Sequence, residues 1–346
     1  MAAATNKTFS TWKILLPTLI GLGVIVYMFG REFDLEQVKQ IKVTWHTAFW
    51  IFIAFCFMLG RDAGFTIRYR YLTEKQLSWK QAIKVTLLAE FGSTITPSSV
   101  GGSTMAILFL TKENIPAGRS TAMVFVTTLL DELFFVVAFP VLLLFIPFDV
   151  LFSDNSALGT SILTLFAIAY VVKLALCALL ITGLFFKPQA VRWLIIKLFS
   201  LPFLRRWYKH AVKAGDDLII SAREIRGKKF SFWYPLIIAT ILSWCSRYLV
   251  VNALFMAFFP VYDNLLVFAR QFIMWVVMVI SPTPGGSGFS EFIFDQYLSE
   301  FIPMAGVVPL IILLWRLLTY YNYLFVGALI VPRWVKSSFN KSKKEE

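Results

Sequence analysis

Two stretches interrupt hydrophobic sequence with the same chemistry. One is Thr96-Pro97-Ser98-Ser99-Val100-Gly101-Gly102-Ser103; the other is Ser281-Pro282-Thr283-Pro284-Gly285-Gly286-Ser287-Gly288. Runs of Pro, Gly and Ser break helices and leave backbone polar groups unpaired. In a bilayer such backbone survives only where it is buried in protein or lines a cavity. Matching breaks in two halves of a chain point to a transporter's binding site.

The bilayer setting follows from composition. Of 346 residues, 58% are hydrophobic and 15% are charged, and the mean hydropathy is +0.72. A soluble domain has about a quarter of its residues charged. The net charge of +13 sits in loops flanking apolar spans, which suits membrane orientation rather than nucleic acid. Cys56, Cys177 and Cys245 fall in separate apolar spans, with neither metal-ligand nor disulfide spacing. Neither a metal nor a cofactor is expected.

The pattern predicts an all-α polytopic membrane protein forming a single domain over 1–346. Six spans are expected at about 12–30, 45–68, 119–147, 160–186, 232–259 and 306–331. The first follows a basic N-terminus without a small-x-small cleavage pattern and is read as retained. Regions 79–111 and 264–301 are each centred on a break. The arm after the first break is too short to cross, and the arm after the second carries Glu291, Asp295 and Glu300. Both are read as re-entrant helical hairpins.

Loop charges set the expected orientation. Segment 187–229 carries eleven Lys/Arg against three acids, and the tail from Pro332 carries five Lys/Arg. The positive-inside rule places both, with the N-terminus, in the cytoplasm of a cell (inner) membrane protein. Six spans satisfy that parity and make units 45–147 and 232–331 an inverted repeat, joined by span 160–186 and segment 187–229. That segment reads as amphipathic helices on the inner leaflet, or as a small cytoplasmic cap.

Nine ionisable residues fall within the apolar sequence: Arg61, Asp62, Glu90, Asp131, Glu132, Lys173, Arg247, Glu291 and Arg316. Charge near the bilayer centre is costly, so these should face the bundle interior and pair. Arg61 and Asp62 can instead snorkel to the cytoplasm, and Lys173 can pack inertly against a carboxylate. Asp131, Glu132, Glu291 and Glu90 are candidates for a polar or coupling network. A helix restarts after each Gly-Gly, and helix N-termini favour anions. Thr96, Ser98, Ser99, Gly101, Gly102, Ser103, Gly285, Gly286, Ser287 and Gly288, with Arg247 and Arg316, are therefore candidate substrate-binding residues.

These motifs resemble the flippase-type transmembrane domain of lysylphosphatidylglycerol synthases, the multiple peptide resistance factor family. They also resemble its stand-alone flippase-like relatives. The resemblance covers most of residues 10–335. It rests on the Thr96–Gly102 run and on Ser281–Glu291, which is similar to the family's proline-glycine-glycine-x-glycine-x-x-glutamate signature. Arg316 sits where that family often has an arginine. Asp131-Glu132 departs from the aspartate–arginine pair frequent in relatives. The soluble aminoacyl-tRNA-dependent transferase domain is missing, so the resemblance implies lipid translocation without lysyl transfer.

The expected function is therefore flipping of an anionic phospholipid or lipid-linked headgroup, bound near the midplane between the hairpins. The membrane lipid is the expected partner and nucleic acid is not. A homo-oligomer and a separate lipid-modifying enzyme are compatible with this reading. Two alternatives stay open. One is an ion-coupled transporter of a small soluble anion. The other is a membrane-embedded transferase acting on a lipid carrier, although Asp216-Asp217 lacks metal spacing and no nucleotide-binding glycine loop is present.

Overall fold

The computed structural model describes residues 36, 39, 42–96, 100–152, 159–201, 205, 208–281, 283, 285–327, 329 and 330. The expected first span and the basic tail lie outside the described residues, as do Ser98 and Ser99. Among the described residues every regular element is a helix. Five segments are long and apolar enough to cross a bilayer: Trp45–Leu72, Ala117–Leu143, Ile162–Phe186, Phe230–Phe258 and Ala305–Gly327. These match the last five expected spans.

In chain order, α1 is Trp45–Leu72, α2 Trp79–Ile95, α3 Val100–Lys112, α4 Ala117–Leu143, α5 Phe148–Leu151 and α6 Gly159–Ile181. Then come α7 Pro188–Phe199, α8 Tyr208–Ile225, α9 Phe230–Phe258, α10 Asn264–Val277, α11 Phe289–Leu298 and α12 Val308–Arg316. Local sequence explains several starts. Ser78 and Gln81 form a reciprocal capping box at α2, with Ser78 N donating to Gln81 Oε1 at 2.8 Å. Asp263 accepts from the Leu266 amide at 2.8 Å to begin α10.

Helices α2 and α3 pack as one hairpin, and α10 and α11 as another. Thr96 is extended (φ −122°, ψ 145°), the conformation imposed on a residue before proline. Helix α11 has 10 residues, about 15 Å of helix at ~1.5 Å per residue. The hydrocarbon core is about 30 Å thick, so α11 cannot cross alone. The order long helix, hairpin, long helix thus occurs twice, as α1–α4 and α9–α12.

The leading helices of the two units pack tightly. Gly60 faces Ser246, while Gly64 faces Ser243 and Ala239, so α1 and α9 run antiparallel. A Cβ at Gly64 would stand 2.1 Å from Ser243 Oγ and 2.6 Å from the Ala239 carbonyl oxygen. Small residues let the backbones approach this closely, as in membrane helix pairs generally. Ser243 Oγ also donates to the Arg61 carbonyl at 3.1 Å.

Segment 187–229 forms two helices with different roles. Leu218, Ala222 and Ile225 of α8 are buried, and Ile220 and Leu218 press on Gly118 of α4 and Gly183. Helix α8 is thus docked on the bundle. Helix α7 pairs with it through Arg192 and Asp216 at 2.6 Å but leaves Trp193, Leu194 and Leu198 exposed. Beside them, Glu74 in the turn after α1 accepts from Lys228 and from Arg119 Nη2. The Lys228 hydrogen bond holds the Glu74 carboxyl below its ordinary range.

Apolar packing forms two main clusters. One gathers around α9, α10, α11 and α12. The other gathers around α2, α3, the first half of α4 and α8. A polar cavity lies where the two meet, lined by Phe135, Met274 and Trp315 of the first and Tyr320 of the second.

Candidate functional site

The two breaks meet. The Gly285 amide donates to the Thr96 carbonyl at 3.3 Å. Tyr320 stitches the same junction: its hydroxyl donates to the Thr94 carbonyl at 3.2 Å and accepts from Ser287 Oγ at 3.0 Å. Gly285, Gly286 and Gly288 have φ of +57°, +70° and +83°, a region that favours glycine. The second break thereby turns its chain back through four residues while touching the first.

Above this junction opens a cavity of about 370 Å³. Both hairpins and α1, α4, α6, α9 and α12 contribute to its wall. Of the expected site residues, Gly102, Ser103, Gly285, Gly286, Arg247, Arg316, Glu90, Asp131 and Glu132 line it. Thr96, Ser287, Gly288 and Glu291 lie in the junction beneath. Gly101 falls in the first turn of α3.

Burial and pairing account for most of the charges. Arg61 is 1% exposed and pairs with Glu90. It also donates to Asp62 at 2.8 Å and to the Tyr323 hydroxyl at 2.7 Å. The snorkelling alternative for Arg61 and Asp62 is thus corrected: Glu90, Tyr323 and their mutual ion pair hold them inside the bundle. Lys173 Nζ donates to both Glu132 oxygens, at 3.2 and 3.0 Å, and stands 4.0 Å from the centre of the Phe135 ring.

Arg68 grips Asp131 with both terminal nitrogens, and Trp244 Nε1 adds a third bond to Asp131 at 2.8 Å. Sequence reasoning missed Arg68 by treating it as the end of a span. It lies seven residues after Arg61, two helical turns along the same face, which is the signal that could have found it.

Arg316, expected at the substrate, and Glu291, expected in a polar network, meet directly. Arg316 Nε donates to Glu291 Oε1 at 2.8 Å, with Glu291 0% and Arg316 4% exposed. The other oxygen, Oε2, accepts from the Gly288 amide and Ser290 Oγ, both at 2.8 Å. This corrects the expected anion pocket at Ser287 and Gly288. The Gly288 amide at the α11 N-terminus is already taken by the carboxylate three residues in, the glutamate half of a capping box. Arg316 is thus engaged by Glu291 while it lines the cavity, and its buried Nη2 has no hydrogen-bond partner among the described residues. The ion pairs fall into separate groups: Arg61 with Asp62 and Glu90, Arg68 with Asp131, Lys173 with Glu132 and Arg316 with Glu291.

Arg247 differs. Its guanidinium carbon lies 3.7 Å from the centre of the Trp275 ring and 5.9 Å from that of Trp244. Among the described residues no carboxylate is within ion-pair reach of it and it donates no hydrogen bond; Arg61 Nε, Arg68 Nε and Arg316 Nη2 also lack partners, but those three side chains keep their ion pairs. The cavity therefore presents one guanidinium without an ion pair beside four ion-paired cations.

Comparison with known proteins places this architecture. A "UPF0104 membrane protein" of Archaeoglobus fulgidus is 24% identical over 323 residues, covering 89% of this chain and 95% of that protein. No solved structure matches. The family described as "Lysylphosphatidylglycerol synthase TM region" matches residues 14–327. This multi-pass membrane chain belongs to the lysylphosphatidylglycerol synthase transmembrane-region family.

Proposed function

We propose that this protein moves a phosphate-bearing lipid headgroup between the leaflets of a cell membrane. It acts as a transporter rather than an enzyme. The observation that carries this reading is the free Arg247 guanidinium in a cavity built from both hairpins. The cavity volume is within the range of small-ligand sites, about 300–1,000 Å³, and suits a headgroup whose acyl tails stay in the bilayer. Arg247 takes the negative phosphate, while Trp275 beneath it fixes the guanidinium plane. The antiparallel α1–α9 pair and the repeated element order support an inverted repeat around this site.

The orientation proposed is both termini and 187–229 in the cytoplasm. Exposed Trp193, Leu194 and Leu198 on the basic α7 support its apposition to the inner leaflet. In a variant lacking Cys56, Cys177 and Cys245, a cysteine replacing the exposed Tyr262 should react with an impermeant reagent applied outside intact cells. One replacing the exposed Glu224 should react only after permeabilisation. The reverse pattern overturns the topology.

Flux of lipids in proteoliposomes of purified protein tests the function itself. The expected result is protein-dependent movement of an acyl-labelled phospholipid or a polyprenyl-phosphate-linked headgroup, lost in Arg247→Gln. Uptake of a soluble anion while every lipid stays in its leaflet would instead establish the ion-coupled transporter.

A further inference from the structure

Resting on the transport reading, we propose that the headgroup carried is a zwitterion of the phosphoethanolamine class. Its phosphodiester sits on Arg247 and its primary ammonium on Glu90.

Counted together with every carboxylate that pairs with its cations, the cavity's surroundings are electrically balanced. Five cations, Arg61, Arg68, Lys173, Arg247 and Arg316, and three carboxylates, Glu90, Asp131 and Glu132, line it; Asp62 and Glu291, bound to Arg61 and Arg316, complete the balance. A net anion placed among them adds an uncompensated charge in a low-dielectric site. A phosphomonoester, at about −1.5 to −2 near neutral pH, adds more. A zwitterion leaves the balance at zero. This refines the expectation of a net anionic headgroup.

Within that balance, two groups are incompletely used. Arg247 donates no hydrogen bond among the described residues, although a guanidinium offers five N–H donors and ring stacking satisfies none of them. Glu90 gives Oε2 to Arg61, but its Oε1 accepts no hydrogen bond among the described residues. The Glu90 side chain is 19% exposed, and both residues line the cavity. They form no ion pair with one another. A cation without an ion pair and a half-free carboxylate in one cavity complement a ligand that carries both a phosphate and an ammonium. The ammonium must carry N–H donors to use the Glu90 oxygen. A quaternary ammonium has none.

The test compares acyl-labelled phosphatidylethanolamine, phosphatidylglycerol and phosphatidylcholine in proteoliposomes. Stabilisation of the detergent-purified protein by each lipid is measured in parallel. Phosphatidylethanolamine should move faster than the other two by at least about tenfold, the worth of one charge-assisted hydrogen bond. Glu90→Gln should erase that preference, phosphatidylethanolamine moving no faster than phosphatidylglycerol in the same variant. Arg61 keeps Asp62 and Tyr323 there, and a melting temperature in detergent close to that of the wild type reports that it is folded. Phosphatidylglycerol moving and stabilising as well as phosphatidylethanolamine overturns the inference while leaving lipid transport intact. Absence of all lipid flux defeats the transport reading, whereas selective stabilisation by phosphatidylethanolamine still supports the headgroup assignment. Equal stabilisation by water-soluble glycerophosphoethanolamine, with no lipid flux, overturns the lipid as its source.

Discussion

Arg316→Met should destabilise the protein by about 3–5 kcal/mol, the cost of leaving a buried carboxylate without its cation. It should abolish transport with it. Glu291 has no exposed surface, so water cannot replace the lost partner. Glu291→Gln alone should be damaging for the converse reason, stranding Arg316. It nevertheless keeps an acceptor for the Gly288 amide, because glutamine also serves at that position of a capping box. The double variant Arg316→Met/Glu291→Gln should be more stable than Arg316→Met alone. Thermal unfolding in detergent of the wild type, both single variants and the double variant gives the coupling energy. Additive losses would mean that the two side chains act independently, against the 2.8 Å bond between them.

Gly285→Ala should be nearly as severe, and for a geometric reason. At φ +57° an added Cβ meets Tyr320 Cε2 at 2.4 Å and the Thr94 carbonyl oxygen at 2.9 Å. The second obstacle is backbone belonging to the other hairpin and cannot rotate away. Left-handed backbone costs a non-glycine residue about 1–2 kcal/mol, and overpacking adds about 1–3 kcal/mol. Gly286→Ala is the control. Its φ is similar, at +70°, but its Cβ meets chiefly the flexible end of Met278, with Cε at 2.1 Å. Flux and melting temperature should both fall further in Gly285→Ala than in Gly286→Ala. Equal behaviour of the two would show that contact between the breaks is dispensable.

The breaks were legible because they violate a strong rule. Single prolines occur inside apolar helices, as Pro140 and Pro235 do here, but clustered Pro, Gly and Ser do not, so Thr96–Ser103 and Ser281–Gly288 stood out without any knowledge of their neighbours. Apolar length likewise located the five described spans. The first helix was drawn too short, to 68 rather than Leu72, because Arg68 and Arg70 look like an interfacial end. Arg68 is instead satisfied inside by Asp131, a residue 63 positions away, and the helix continues past it. Pairing of that kind is a property of the folded bundle. Composition required the intramembrane charges to find partners but could not say that Glu291 would take Arg316 and leave Arg247 free. The amphipathic character of α7 and α8 was legible as well, but only the packing of Ile220 on Gly118 and Leu218 on Gly183 distinguishes a docked helix from one with a bare apolar face.

The pairing of charges also decides how the membrane potential acts on this molecule. A voltage does work only on charge that moves through it, about 2.3 kcal/mol per elementary charge per 100 mV. Arg68 with Asp131, Lys173 with Glu132 and Arg316 with Glu291 are each neutral as units and respond to a field only as short dipoles. Arg61, with Asp62 and Glu90, carries one surplus negative charge, and Arg247 in the same cavity carries one positive. On the transport reading proposed above, a rearrangement of this interior would therefore carry almost no gating charge. A net-neutral headgroup would complete an electrically silent cycle, driven by lipid gradients and indifferent to the resting potential of the cell.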